Sequence, residues 1–247
     1  MEFWGITDSG KIRKHNQDIY QVLSNEGKDV VVLVVCDGMG GANAGNIASE
    51  LAANSFMNYI TDKMDEIEKT ENIHDIALIM TDAVIAANTV VFDKSLHGEE
   101  FSGMGTTLTA AISTKHGEVV ANVGDSRLYH VTKNKITQIT RDHSVVEDMI
   151  ERGEISRNEA RRHPNRNLIT RALGTCIYEP PDIFYLNLDT GDFVLLCSDG
   201  LTNVVLDSEI QYELTRGETV RESCEVLVDM ALTRGAPDNV TAVILMK

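Results

Sequence analysis

The chain has 247 residues, 43% of them apolar and 24% charged, with only 4 prolines, which is the makeup of one globular domain with a real core and excludes a disordered segment. A formal net charge of −16 excludes a ligand held by phosphate-backbone electrostatics, so no nucleic-acid partner is expected. The four cysteines (Cys36, Cys176, Cys197, Cys224) show no C-x-x-C spacing, and neither a leader peptide nor an apolar run of membrane-spanning length is read, which predicts a reduced, cytoplasmic setting with no membrane partner.

Residues 19–25 and 29–36 read as a hairpin turning at Glu26-Gly27-Lys28. Residues 44–64 and 73–92 repeat apolar side chains at spacings of three and four, which predicts two helices packed side by side. Residues 106–113, 118–123, 127–132 and 135–140 follow at short spacing as an antiparallel meander, and 183–188 with 193–197 add another hairpin. Thr219 and Glu222 form a Thr-x-x-Glu capping box opening a helix to Arg234, and 239–246 close as a strand. No repeat or linker interrupts the chain, so residues 1–247 are expected to be a single domain. Three strands (29–36, 192–197, 239–246) are apolar on nearly both faces, so both faces must be covered. Two stacked antiparallel sheets with helices outside them meet that condition, giving an α+β fold, a four-layer α-β-β-α sandwich.

Aspartates punctuate these strands. Residues 30–36 have no polar face, and the chain then presents Asp37 followed by three glycines within four further positions. A lone dehydrated carboxylate is costly unless it is paired or coordinates a metal. The pattern recurs at Asp125 in VGDSR, Asp199 in CSDGL and Asp238 in APDNV, each where an apolar strand begins or ends. Singly, an Asp-Gly after a strand is the signature of a turn. Four at the ends of two packed sheets can gather at one edge, where mutual repulsion raises their pKa values or demands a cation. All are oxygen donors, which suits Mg²⁺ or Mn²⁺, whereas the seven histidines show neither H-E-x-x-H nor paired Cys/His spacing for zinc. Carboxylates around water-keeping divalent ions support attack of a metal-bound hydroxide on phosphorus, hence phosphoester hydrolysis. The phosphoryl oxygens also need a cationic fork; Arg13, five residues before Asp18, can supply it, although an Arg among aspartates is more often an ion pair.

Other phosphate chemistries fit poorly. Residues 5–12 approach a P-loop, but Ile12 replaces the metal-binding hydroxyl. Neither Cys-x5-Arg nor D-x-D is present, and Cys36 and Cys197 read as inert core residues.

RKHNQD (13–18), DGMGG (37–41), GTT (105–107), GDSR (124–127), SDG (198–200) and DN (238–239), in this order over nearly the whole chain, resemble the metal-dependent protein phosphatases of type 2C. The compact length and the DGMGG form are similar to the bacterial branch. The resemblance implies an α-β-β-α sandwich that hydrolyses phosphoserine and phosphothreonine in proteins through a hydroxide bridging two Mg²⁺ or Mn²⁺ ions, opposing a serine/threonine kinase. By position, Asp37 would bridge the metals, Gly38 would offer its carbonyl, and Asp199 and Asp238 would complete the protein ligands. Asp18 would hold metal-bound water, Asp125 would share a third, weaker metal with Asp199, and Arg13 would orient the phosphate.

Two departures stand out. Gln17 replaces a Glu found in some relatives, and Met39 and Ala42 stand where some members carry His. The general acid is therefore unassigned: a metal-bound water is the first choice, with His15 and His163 as outside candidates. Residues 155–171 hold five of the twelve arginines and overlap the family's variable flap, about 144–168 here. That segment reads equally as a phosphoprotein docking surface and as a solvated helix opening at a Ser156-x-x-Glu159 capping box. Phosphoproteins and a cognate kinase with its targets are the expected partners, and the chain is expected to be a monomer. Competing readings are a non-catalytic binding module, which would typically have lost a carboxylate, and a phosphatase dedicated to one regulatory partner.

Overall fold

The computed structural model describes every residue except Glu26, Lys28, Ala42 and Asn43. The turn at Glu26-Gly27-Lys28 and the Ala42 departure therefore rest on residues outside the described ones. The chain opens with β1 (Glu2–Asp8), which had no counterpart among the expected elements. The strands β2 (Asp18–Ser24) and β3 (Val31–Met39) pair antiparallel as expected, with Asp18 directly opposite Asp37. Helix α1 (Ala44–Asp62), a short α2 (Met64–Lys69) and α3 (Ile73–Ser95) follow. Next come β4 (Gly105–Thr106), β5 (Leu108–Thr114), β6 (Gly117–Val123), β7 (Arg127–Val131) and β8 (Ile136–Gln138). The expected flap carries α4 (Val145–Glu151) and α5 (Arg157–Ala160). The remainder is β9 (Asp182–Leu186), β10 (Phe193–Cys197), α6 (Asp199–Thr202), α7 (Asp207–Arg216), α8 (Val220–Thr233) and β11 (Val240–Met246).

One sheet runs β1-β11-β10-β7-β8 and the other β2-β3-β5-β6-β9, with β4 added on β3; every pairing is antiparallel. The period-2 alternation of strands divides the core into three. Val32, Val34 and Cys36 of β3 face α1 and α3, joining Phe56, Ile60, Met80 and Val84. Val31, Leu33 and Val35 of the same strand face the other sheet, where they meet Leu128, Leu196 and Val243. Beyond that sheet, Leu195 and Ile244 pack under α7 and α8 against Ile210 and Leu227. The four layers are those expected, and they explain why β3 has no polar side.

Two connections differ from the expectation. The expected meander splits between sheets: β5 and β6 belong to one, β7 and β8 to the other, and the chain crosses at Gly124–Ser126. Likewise β9 pairs β6 while β10 pairs β11 and β7, so 183–188 and 193–197 are not a hairpin. In both cases Leu128 and Leu188 enter the gap between the sheets, and burying them there outweighs the preference of neighbouring strands for each other. One helix, α3, does have the length and apolarity of a membrane span, contrary to expectation; its Ile76, Met80, Val84 and Val91 lie in the core beside α1.

Candidate active site

At one end of the gap between the sheets the apolar filling stops. Asp37 follows Val31, Leu33 and Val35 on the inner face of β3, and Asp18 stands opposite on β2. From the facing sheet, Ser198 and Thr241 continue the inner-face positions of Leu196 and Val243. Their hydroxyls donate to Asp18 Oδ2 at 2.6 and 2.7 Å. Asp18 Oδ1 is buried and meets no hydrogen-bond partner among the described residues. Like charges directly opposite each other on paired strands are destabilising, so this end of the sandwich is built for something other than stability.

Backbone bonds fix the end of β3. Asp37 N–H donates to Thr107 Oγ1 at 2.9 Å, and Asp37 O accepts from Thr106 Oγ1 and Thr107 N–H, each at 2.9 Å. These bonds interrupt the expected 106–113 strand at Thr107. Gly38 is required by close approach: a Cβ there would run into the Gly45 carbonyl at the start of α1. Gly200 is likewise pressed on the Asn239 carbonyl, which brings the Asp199 and Asp238 loops together.

Asp37, Asp125, Asp199 and Asp238 line one open cavity of about 230 Å³, together with Arg13 and the backbone of Gly38. The structure thus brings together every sequence-predicted site residue, Asp18 lying just behind. Burial first, then the neighbouring Asp18 and Asp199, drives Asp37 well above the usual carboxylate range. Burial followed by Asp199 does the same to Asp125. Asp18 is pushed up to about 7 by burial, against the two hydroxyl bonds, and Asp199 to about 6 by burial and Asp238. Asp199 Oδ1, like Asp18 Oδ1, is buried without a partner among the described residues.

Arg13 is the lone cationic side chain lining this cavity among the described residues, and its Nη2 donates to Asp238 Oδ2 at 2.8 Å. Here Arg13 makes the ion pair that sequence alone favoured; half-exposed at 53%, its head group also faces the cavity. The orphaned carboxylate oxygens and the excess of acid fit divalent cations, and the donor set is all oxygen. Among the described residues no three acid, imidazole or thiol side chains converge on one point. Any one ion would accordingly take few protein ligands and fill the rest of its sphere with water and carbonyl oxygen, as Mg²⁺ does.

Neither His15 nor His163 lines the cavity, so neither outside candidate for the general acid is supported. Met39 does line it, as do Asn167 and Ile169 of the flap segment. A second cavity of about 130 Å³ shares Asp125 and Asp199 with the first and is walled by Arg157, Arg161 and Arg166. The Ser156–Glu159 capping box forms as expected, with Ser156 N–H donating to Glu159 Oε2 at 2.8 Å, while Arg157 pairs with Glu147 at 3.0 Å. Cys36 and Cys197 are fully buried, and burial raises both thiols, Cys197 to about 12, so both are inert. Sequence reasoning missed Asp142 and His143, buried beside Asp125; the only signal was an Asp-His pair just after the last strand of the supposed meander.

The profile of the family described as Protein phosphatase 2C matches residues 11–240. This chain belongs to that family. The phosphatase is 37% identical over 239 residues to the serine/threonine phosphatase stp of Listeria innocua, covering 97% of this chain and 93% of the relative. Among solved structures, it resembles the serine/threonine phosphatase Stp1 of Staphylococcus aureus with a TM-score of 0.90 and 34% identity, over 100% of this chain and 94% of that one. The catalytic domain of the phosphatase PstP, solved with two manganese ions, superposes with a TM-score of 0.83 at 33% identity, over 98% and 96% of the two chains.

Proposed function

We propose that the phosphatase hydrolyses phosphoserine and phosphothreonine in proteins, using a pair of Mg²⁺ or Mn²⁺ ions held at the acidic cavity. The observation that carries this reading is the gathering of Asp37, Asp199 and Asp238 with Arg13 around one opening, with one oxygen of Asp199 and one of the adjoining Asp18 unpartnered among the described residues. Asp37, the Gly38 carbonyl, Asp199 and Asp238 would hold the ions, and Asp18 would support them from behind. Asp125 and Asp199, which line both cavities, would hold a third, weaker ion. When bound, the metals supply charge neutralisation and a water acidic enough to attack phosphorus at neutral pH.

The chain's own groups do the rest. Arg13, turning from Asp238 to the substrate, grips phosphoryl oxygens with its planar fork and so orients the phosphorus for in-line displacement. Met39 and Ile169 give the mouth an apolar wall on which a side chain can rest. As the ester P–O bond breaks, the leaving serine or threonine oxygen takes its proton from water, because no histidine lines the cavity among the described residues. All the acids are in place, which favours catalysis over a binding module that has lost its chemistry. Opposition to a serine/threonine kinase in the cytoplasm, as a monomer of one domain, is the physiological reading that goes with this activity.

The test is phosphate release from a phosphothreonine peptide at increasing Mn²⁺. Wild type should be inactive in EDTA and active with Mn²⁺, and Asp37→Asn should lose activity by about a thousandfold or more, the scale of losing a preorganised charge in an active site, while its circular dichroism is unchanged. An Asp37→Asn protein with near wild-type turnover would end this reading.

A further inference from the structure

Asp125 stands on the tight crossing between the sheets, and the consecutive residues Asp142 and His143 grip that crossing on both sides of it. Before Asp125, Gly124 exchanges two hydrogen bonds with His143. Its N–H donates to the ring Nδ1 at 3.0 Å, and its carbonyl accepts from the His143 backbone N–H at 2.9 Å. After Asp125, Arg127 donates to Asp142 through Nε at 2.9 Å and Nη2 at 2.7 Å. Asp142 is 6% exposed and His143 3%, so water dilutes neither grip.

The bonds decide the tautomer. A backbone N–H can only donate, so the Nδ1 that accepts from Gly124 carries no proton and the proton of His143 sits on Nε2, where Asp182 Oδ2 accepts at 3.1 Å; Arg171 Nη1, also beside that nitrogen, donates instead to Asp182 Oδ1 at 2.7 Å. Burial, helped by the Arg171 guanidinium 2.9 Å from that nitrogen, holds the ring below its ordinary pKa against the pull of Asp182, so it is neutral at pH 7. The same residue reaches the flap: His143 O accepts from Thr170 N–H at 2.8 Å, and Ser144 bridges Ile169, whose side chain lines the catalytic cavity.

We propose that His143 is a positioning residue of this phosphatase: its bare Nδ1 sets the Gly124–Asp125 turn while its backbone holds the Ile169 wall to that turn. The carboxylate of Asp125 and the flap wall thereby face the substrate in one fixed register. The inference rests on the phosphatase reading above.

Three substitutions divide the ring's work. His143→Asn puts an amide oxygen where Nδ1 stood and keeps the acceptor for Gly124 N–H. His143→Gln reaches toward Asp182 and leaves Gly124 N–H unpaired, as does His143→Leu. With a phosphothreonine peptide, kcat/KM should fall about tenfold in the Gln and Leu variants, the scale of one buried donor left unpaired, and stay near wild type in the Asn variant. Calorimetric titration of Mn²⁺ into metal-free protein should show weaker binding in its low-affinity phase for Gln and Leu only.

Nitrogen NMR of metal-free wild type needs no variant to fold: it should show His143 protonated on Nε2 and bare at Nδ1, with slow amide exchange at Gly124. A proton on Nδ1, an Asn variant as impaired as Leu, or a Gln variant with full kcat/KM would each overturn the proposal. Failure of the phosphatase reading itself shows separately, as an Asp37→Asn protein that keeps activity while the Gly124 and ring-nitrogen signals are unchanged.

Discussion

Removing one negative charge from the buried acids should stabilise the metal-free phosphatase. Asp18 is held at about 7 against an ordinary value of 3.8, so the folded state keeps a proton that the unfolded chain releases. Its contribution to stability is therefore lost as pH rises from about 4 through about 7. Three pKa units correspond to roughly 4 kcal/mol at pH 7.5. In Asp18→Asn the amide oxygen can still accept from Ser198 and Thr241, which donate to Oδ2 in the wild type, and the amide N–H₂ takes the place of the buried Oδ1, which has no partner among the described residues. Allowing for relaxation, the gain should be about 2–4 kcal/mol, or about 4–15 °C in Tm for a domain of this size.

Thermal unfolding in EDTA at pH 4.5 and 7.5 reads this directly. The variant should exceed wild type in full at pH 7.5 and by only about 1 kcal/mol at pH 4.5, where the folded wild type already carries a neutral group and the unfolded chain is just above its ordinary value of 3.8. Acids with depressed values, such as Glu209 held at about 2 by Arg234, act in a lower window and leave the comparison untouched. Saturating Mn²⁺ should invert the order, since wild type gains more from the ions than the variant does. A Tm in EDTA at pH 7.5 that is unchanged or lowered by Asp18→Asn would refute the electrostatic reasoning.

Three further outcomes can be checked alongside it. Arg13→Ala should lower kcat/KM for a phosphopeptide by about 10–100-fold through loss of a bidentate phosphate contact, and change Tm little, because its pairing with Asp238 is solvent-exposed. Gly38→Ala forces a Cβ into the Gly45 carbonyl and close to that of Gln17; denaturant unfolding should show a loss of about 3 kcal/mol or more. Far from the cavity, Glu118 is buried and bonded by Ser113, Leu188 N–H and Lys247. Its replacement by Ala should cost about 3–5 kcal/mol for the broken buried pair, with kcat/KM of the folded fraction unchanged.

The layers and most elements were legible in the sequence because two-sided apolar strands such as β3 and β11 have one architectural solution. The candidate acids were legible for the same reason: Asp37 breaks an apolar alternation, and breaks of that kind are visible without coordinates. Strand partners were not. Whether residues 127–131 turn back on 117–123 or cross to the other sheet depends on where Leu128 finds a place, which is a property of the assembled core. The same limit hid Asp142 and His143, since nothing local marks them as the support of a residue seventeen or eighteen positions earlier. Arg13 was read as phosphate ligand and as ion pair, and only the geometry shows its pairing with Asp238.

The crossing at Gly124–Ser126 carries a consequence for engineering. It and the Ser198 and Asn239 loops stitch the two sheets together at the acidic end, whereas the β5–β6 turn at Lys115 and His116 lies at the far end of its hairpin, beyond Thr114 and Gly117. Reporter peptides or affinity handles spliced at Lys115 should leave turnover intact, while insertions of the same length near Ser126 should silence the enzyme.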